Sequence, residues 1–144
     1  QEYAKLAEAV DIPIAMGEWL ATRHEFADLI ARGGVTVVQP DVGRVGGVSE
    51  AILVADVAAE KGLTIVPHCW KTGVSTAATA HFAAVTPHCK FIEYLPQELC
   101  IETLRKELTT GGVVMKDGVI AGIDDAPGYG INLNWDAVKA FAQE

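Results

Sequence analysis

Basic runs are missing from this sequence. Lys and Arg number 11 against 19 Asp and Glu, the net charge is −8, and no stretch gathers the cations together. That excludes nucleic acid and anionic membrane as partners, since both are held through a basic face. Long apolar runs are missing too: nothing approaches the roughly 20 residues of a membrane span, and no leader-like segment opens the chain. Cysteine is scarce. Cys69, Cys89 and Cys100 are odd in number and at no zinc-like spacing, so a disulfide framework is excluded and reduced thiols in a cytoplasmic protein are expected. The dinucleotide and P-loop glycine patterns are absent as well. Gly43-x-x-Gly46-Gly47 follows a strand-like run and precedes a helix, yet it lacks the spacing and the Lys-Ser/Thr of a phosphate loop; only the helix N-terminus behind it suits an anion.

What is present is one architectural period. Half of the 144 residues are hydrophobic, enough for a real core. Glu2–Val10 has helical spacing, with Tyr3, Leu6 and Val10 on one face. The run IPIAMGE then ends at Glu18. Thr22-x-x-Glu25 predicts a capping box for a helix carrying Phe26, Leu29 and Ile30, ended by Gly33-Gly34. VTVVQPD follows, apolar and β-branched as in a strand covered on both faces, and ends at Asp41. Ser49 is the expected cap of a helix over Glu50–Lys61. LTIVPHC ends at His68, Ser75 or Thr76 begins an Ala-rich helix to about Val85, and Phe91–Tyr94 is a fourth strand holding Glu93.

The order is β-α-β-α-β-α-β, and Glu18, Asp41, His68 and Glu93 stand 23, 27 and 25 positions apart. Such units build parallel sheets with right-handed crossovers, whose strand C-termini share one edge. Sites lie at that edge in barrels and open sheets alike. Beyond it the pattern changes. Leu99–Leu108 reads as an amphipathic helix, Val113–Ala121 as a hairpin turning at Asp117-Gly118, APGYG as a loop, and Trp135–Gln143 as a helix capped by Asn134. The expected division is a partial barrel over 1–98 and a closing helix, hairpin and helix over 99–144.

A carboxylate beside an imidazole fixes its tautomer and favours the imidazolium formed when it takes a proton. Asp41 and His68 lie on successive strands and suit that role. Glu18 is a hard oxygen donor suited to Mg²⁺ or Ca²⁺, although one carboxylate does not make a site. Glu93, if kept protonated by burial, is suited to donate to a developing oxyanion. Each group alone has an ordinary explanation, since an Asp before a Gly-rich loop is often a helix cap and a lone buried His a satisfied core residue. Their repetition at equivalent positions carries the functional reading.

Trp19, Arg44, Trp70 and Lys71 are the candidate substrate-binding residues. The two tryptophans sit just past strand ends and fit either a pocket wall or core packing. The two cations fit either an acidic substrate or solvent. His68-Cys69 and His88-Cys89 do not read as metal pairs, because neighbours along a strand face opposite ways. His24 and His81 read as ordinary helix positions.

IPIAMGE, VVQPDVGRVGGVSEA, IVPHCW, FIEY and the PGYG of the tail resemble the C-terminal half of the enolase superfamily, mandelate racemase-like branch, over roughly Asp11–Tyr94. The muconate-lactonising branch has Lys where Asp41 stands. The resemblance implies an α/β fold: the fifth to eighth strands of a TIM-type (β/α) barrel, with a tail that packs on a capping domain. It implies that Glu18 is a ligand of Mg²⁺, that Asp41 and His68 form a catalytic dyad, and that Glu93 hydrogen-bonds the enolising carboxylate. The implied reaction is Mg²⁺-assisted removal of the proton α to a carboxylate on a small acid, foremost in an acid-sugar dehydratase, with racemase, epimerase or cycloisomerase as alternatives. The family's other metal ligands lie upstream of such a segment. An excerpt of a longer chain is therefore expected, beginning as it does at Gln1, or half-barrels that pair in a homo-oligomer; a catalytically silent fragment is the remaining alternative.

Overall fold

The structure is a computed structural model that describes residues 2–99, 103–123 and 125–142. Its centre is a run of short parallel strands alternating with helices. Helix α1 (Glu2–Ala9) comes first, then β1 (Ala15–Met16), α2 (Thr22–Arg32), β2 (Val37–Val38), the single turn α3 (Val42–Val45) and α4 (Val48–Glu60). The series continues through β3 (Thr64–Ile65), β4 (His68–Cys69), α5 (Gly73–Ala84) and β5 (Glu93–Tyr94). The pairs β1–β2, β2–β3 and β4–β5 are all parallel. Together they are half of a (β/α) barrel, as the sequence implied.

Proline explains why the strands are short. Pro40 and Pro67 have no N–H to give a ladder, so β3 and β4 are one physical strand interrupted at Pro67. The ladder nonetheless continues on alternate residues: Thr64, Val66 and His68 donate to the carbonyls of Thr36, Val38 and Pro40 at 3.1, 3.1 and 3.2 Å. Asp41 and His68 form a parallel bridge, and His68 is in register with Glu93. Residues level with one another on neighbouring strands face the same way. The register therefore puts Asp41, His68 and Glu93 side by side.

Helices α2, α4 and α5 cover the outer face. Phe26, Val38, Val45, Val54, Ile65 and Phe82 are fully buried between helices and sheet. Helix α1 buries nothing, and its Tyr3 and Leu6 stay exposed. Three helix starts differ from the sequence reading. Thr22 is not a cap: it has φ 57°, Ala21 is the N-cap, and Glu25 accepts from the Ala21 N–H at 2.6 Å. Glu50 of α4 accepts from the Arg23 N–H at 2.7 Å, so a tertiary partner takes the place of a local one. Ser49 lies inside α4, which begins after Gly47 because Gly46 and Gly47, both at positive φ, turn the chain straight out of α3. The Ala-rich helix likewise starts earlier, after Thr72.

In the tail, α6 (Thr103–Glu107) leads to β6 (Thr109–Gly111), the hairpin β7 (Val114–Lys116) and β8 (Val119–Ala121), β9 (Ile131–Leu133) and α7 (Trp135–Phe141). Asp117 and Gly118 both have positive φ, as a type I′ turn requires. Asn134 Oδ1 caps α7 by accepting from the Ala137 N–H. The antiparallel pair β6–β9 is a pairing the sequence reading lacks. The expected helix over Leu99–Leu108 is a 3₁₀ turn (Gln97–Leu99) and the shorter α6; residues 100–102, Cys100 among them, lie outside the described residues.

Cys69 is fully buried, and its Sγ lies 3.6 Å from the Thr76 hydroxyl. Burial pushes its thiol above the usual range, and the Thr76 contact offsets only part of that. A neutral buried thiol holds its proton more tightly in the folded chain than in the unfolded one. Its contribution to stability is thus full below the unfolded thiol's pKa and is lost as pH rises through the folded one. Urea unfolding between pH 7 and 10 should show an alkaline fall that becomes shallower in Cys69→Ala; an unchanged slope would contradict this account.

Candidate active site

Asp41 is only 1% exposed although it carries a charge. Three donors hold it. Its Oδ1 accepts from the Gly43 N–H at 2.9 Å, which caps α3, and from Lys71 Nζ at 2.8 Å. Its Oδ2 faces His68 Nδ1 at 2.9 Å. Asp41 is thus both the helix cap of the ordinary reading and the partner of His68.

His68 is sandwiched between acids. Its Nε2 lies 3.0 Å from Glu18 Oε2. Carboxylates only accept, so both contacts are hydrogen bonds only when both ring nitrogens carry protons. Trp70 lies against the imidazole, ring centroids 5.3 Å apart. Glu18 is placed by Gly17, at φ 135°, where a Cβ would come within 2.5 Å of Phe26 Cε1. Only a bare backbone crosses that ring.

Glu93 accepts from the side-chain amide of Gln39. Gln39 was not singled out from the sequence, yet its position is legible: it is two residues before Asp41, on the same face of one strand. A cavity of about 340 Å³ opens between Glu18, Trp19, Gln39 and Glu93. Trp19 is largely exposed, with the Arg44 guanidinium 4.1 Å above its ring. Lys71 is engaged by Asp41 rather than free in solvent. Cys69 points away from His68 into the core, while His88 pairs with the Ala55 carbonyl and Cys89 with that of Phe91.

A hard divalent cation takes six or more oxygen ligands, several of them carboxylates in a protein site. The described residues hold no group of three or more side chains that could hold a metal ion, and Glu18, the half-exposed acid of the rim, already faces His68. The described residues do not complete a Mg²⁺ site.

A family model described as enolase C-terminal domain-like matches residues 1–137. The chain belongs to that family. Among its relatives, the D-galactarolactone cycloisomerase of Agrobacterium fabrum is 36% identical over 96% of this chain and 38% of its own length. The D-galactonate dehydratase of Xanthomonas campestris is 31% identical over 95% and 36%. Among solved structures, a mandelate racemase/muconate lactonizing enzyme from a Jannaschia species superposes with a TM-score of 0.85 at 31% identity, covering 99% of this chain and 35% of that one. The 3,6-anhydro-D-galactonate cycloisomerase of Zobellia galactanivorans gives 0.88 at 25%, covering 99% and 39%. This enolase C-terminal domain-like chain thus spans a little over a third of the length of these relatives. No described helix is long and apolar enough to cross a membrane.

The Lys71–Asp41 pair is testable through coupling. Lys71 is partly exposed, so screening trims the interaction to about 1 kcal/mol. A double-mutant cycle of Lys71→Met and Asp41→Asn, read by urea unfolding, should give a favourable coupling of that size. Strict additivity would show Lys71 to be merely solvated.

Proposed function

We propose that this chain carries the proton-transfer half of an enzyme that removes the proton α to the carboxylate of a small acid, foremost an acid-sugar dehydratase. The observation that supports it best is the shared level of Asp41, His68 and Glu93 at the ends of adjacent strands, with the Asp41–His68 contact at 2.9 Å. The dehydratase and cycloisomerase names of the relatives support the substrate class. In length terms the chain is the barrel piece over 1–98 closed by 99–144, and the whole enzyme's activity would need the rest of the barrel.

His68 Nε2 is the base. Asp41 keeps a proton on Nδ1, so Nε2 presents the lone pair, and Asp41 steadies the imidazolium once the proton is taken. The electron pair left on the α carbon moves into the substrate carboxylate, whose oxygens gain charge. Glu93, held by Gln39, lies level with His68 and, when protonated, would donate a hydrogen bond to that oxygen. In dehydration the pair returns to expel the β-hydroxyl, which leaves as water with the proton from His68, and the enol becomes a ketone. Trp19, Trp70 and Arg44 form the approach, and Lys71 acts on Asp41. Family membership implies Mg²⁺, which when bound stabilises the enolised carboxylate; Glu18 is the ligand this chain would supply. A cycloisomerase is the second reading, favoured by two of the relatives named above. It begins with the same abstraction.

The intact protein incubated with D-galactonate or D-galactarolactone in D₂O should exchange or lose the α proton, and His68→Asn should slow this by about 10²–10⁴-fold. Exchange at the parental rate in His68→Asn would sink the assignment. Formation of a 2-keto-3-deoxy acid, as against lactone ring opening, separates dehydratase from cycloisomerase.

A further inference from the structure

A second cavity, of about 600 Å³, lies behind the dyad, between α3, α4, α5 and α6. No acidic residue lines it, although the chain as a whole is acidic. Two cations do, Lys71 and Arg105. The Lys71 charge is matched by Asp41. That of Arg105 is not. This side chain is 6% exposed, its Nε and Nη2 donate to the carbonyls of Lys71 and Leu95 at 2.5 Å, and its Nη1 has no partner. A buried guanidinium without a carboxylate is costly, and none of the described residues supplies one.

Other features of the same wall point the same way. Ser75 Oγ, a hydroxyl donor buried in the lining, is also unpaired. The N-termini of α4 (13 residues) and α5 (12 residues) both open here, through Gly47–Val48 and Thr72–Ser75, and neither has a side-chain cap. Their first N–H groups lack intrahelical acceptors and carry the positive end of the helix dipole. Gly43 keeps the space clear, since a Cβ there would lie 3.3 Å from Lys71 Nζ and 3.4 Å from Ser75 Oγ. The remaining wall is apolar, from Val48, Val74, Leu104 and the Tyr129 ring.

We propose that this cavity binds the carboxylate or phosphate group of a small molecule with an apolar body, held by Arg105, Ser75 and the two helix N-termini. The cavity shares Trp70 and Lys71 with the surroundings of His68, but Glu18, His68 and Glu93 do not line it, and it does not depend on the reaction proposed above. Calorimetric titration of the intact protein with benzoate and with phenyl phosphate is expected to show saturable binding of at least one, which identifies the preferred anion. Neutral benzyl alcohol should bind at least about tenfold more weakly. Arg105→Gln should weaken the anion about tenfold or more and Ser75→Ala about two- to tenfold, while His68→Asn leaves it unchanged. Ser75→Ala carries the test if Arg105→Gln does not fold. No saturable anion binding, equal binding of benzyl alcohol, parental affinity in Ser75→Ala, or loss in His68→Asn would each overturn the proposal.

Discussion

Everything at the strand ends depends on burying the carboxylate of Asp41. A charge removed from water is strongly unfavourable unless its lone pairs are taken up. Here the Gly43 N–H, the Lys71 ammonium and the His68 ring take them up at 2.8–2.9 Å. These partners come from the α3 turn, from β4 and from the segment just after it, so one carboxylate ties together the ends of two strands and the start of a helix. The orientation of His68 follows from that tie. An imidazole free to flip would present either nitrogen outward; with Nδ1 on Asp41, only Nε2 faces the open side.

The prolines contribute to the same end. Pro40 and Pro67 stop the ladder one residue before Asp41 and His68 respectively, yet their carbonyls still accept from His68 and Glu93. Acceptance without donation keeps the register through the prolines to the level of Asp41, His68 and Glu93. A register slip of one residue would turn all three polar side chains into the helix layer. There Phe82 and Ile65 already fill the space.

How much of this is legible in the sequence follows from what is local. The strand ends are, because an apolar run closed by Pro-Asp or Pro-His is a pattern within seven residues. So is the hairpin at Asp117-Gly118, whose positive φ values need those residue types. Helix starts are less so. Thr22 has the right neighbours for a capping box, but Glu50, 25 residues past Glu25, competes for the first turn of α2. The β6–β9 pair joins Thr109 to Leu133 across a hairpin, and nothing local announces that closure. Within the candidate site, the four ionisable positions and the Asp41–His68 pair are legible, but the contacts of Glu18 with His68, Lys71 with Asp41 and Gln39 with Glu93 are not. Lys71 reads equally as solvated, and Gln39 is a neutral residue whose role lies in its contact with Glu93. Arg105 sits on a short helix of charged neighbours; only burial distinguishes it from Lys106.

Glu18 shows how the two halves of the chemistry are separated along the chain. It is a half-exposed acid of the rim, and it stands 3.0 Å from the nitrogen that would take the substrate proton. A carboxylate cannot at once hold that nitrogen's proton and leave its lone pair free for the substrate. For His68 to act as the proposed base, Glu18 would have to turn away from Nε2, a contact of two partly exposed side chains that rotation of the Glu18 carboxylate can break. The dyad and its orienting contacts are built entirely from this chain.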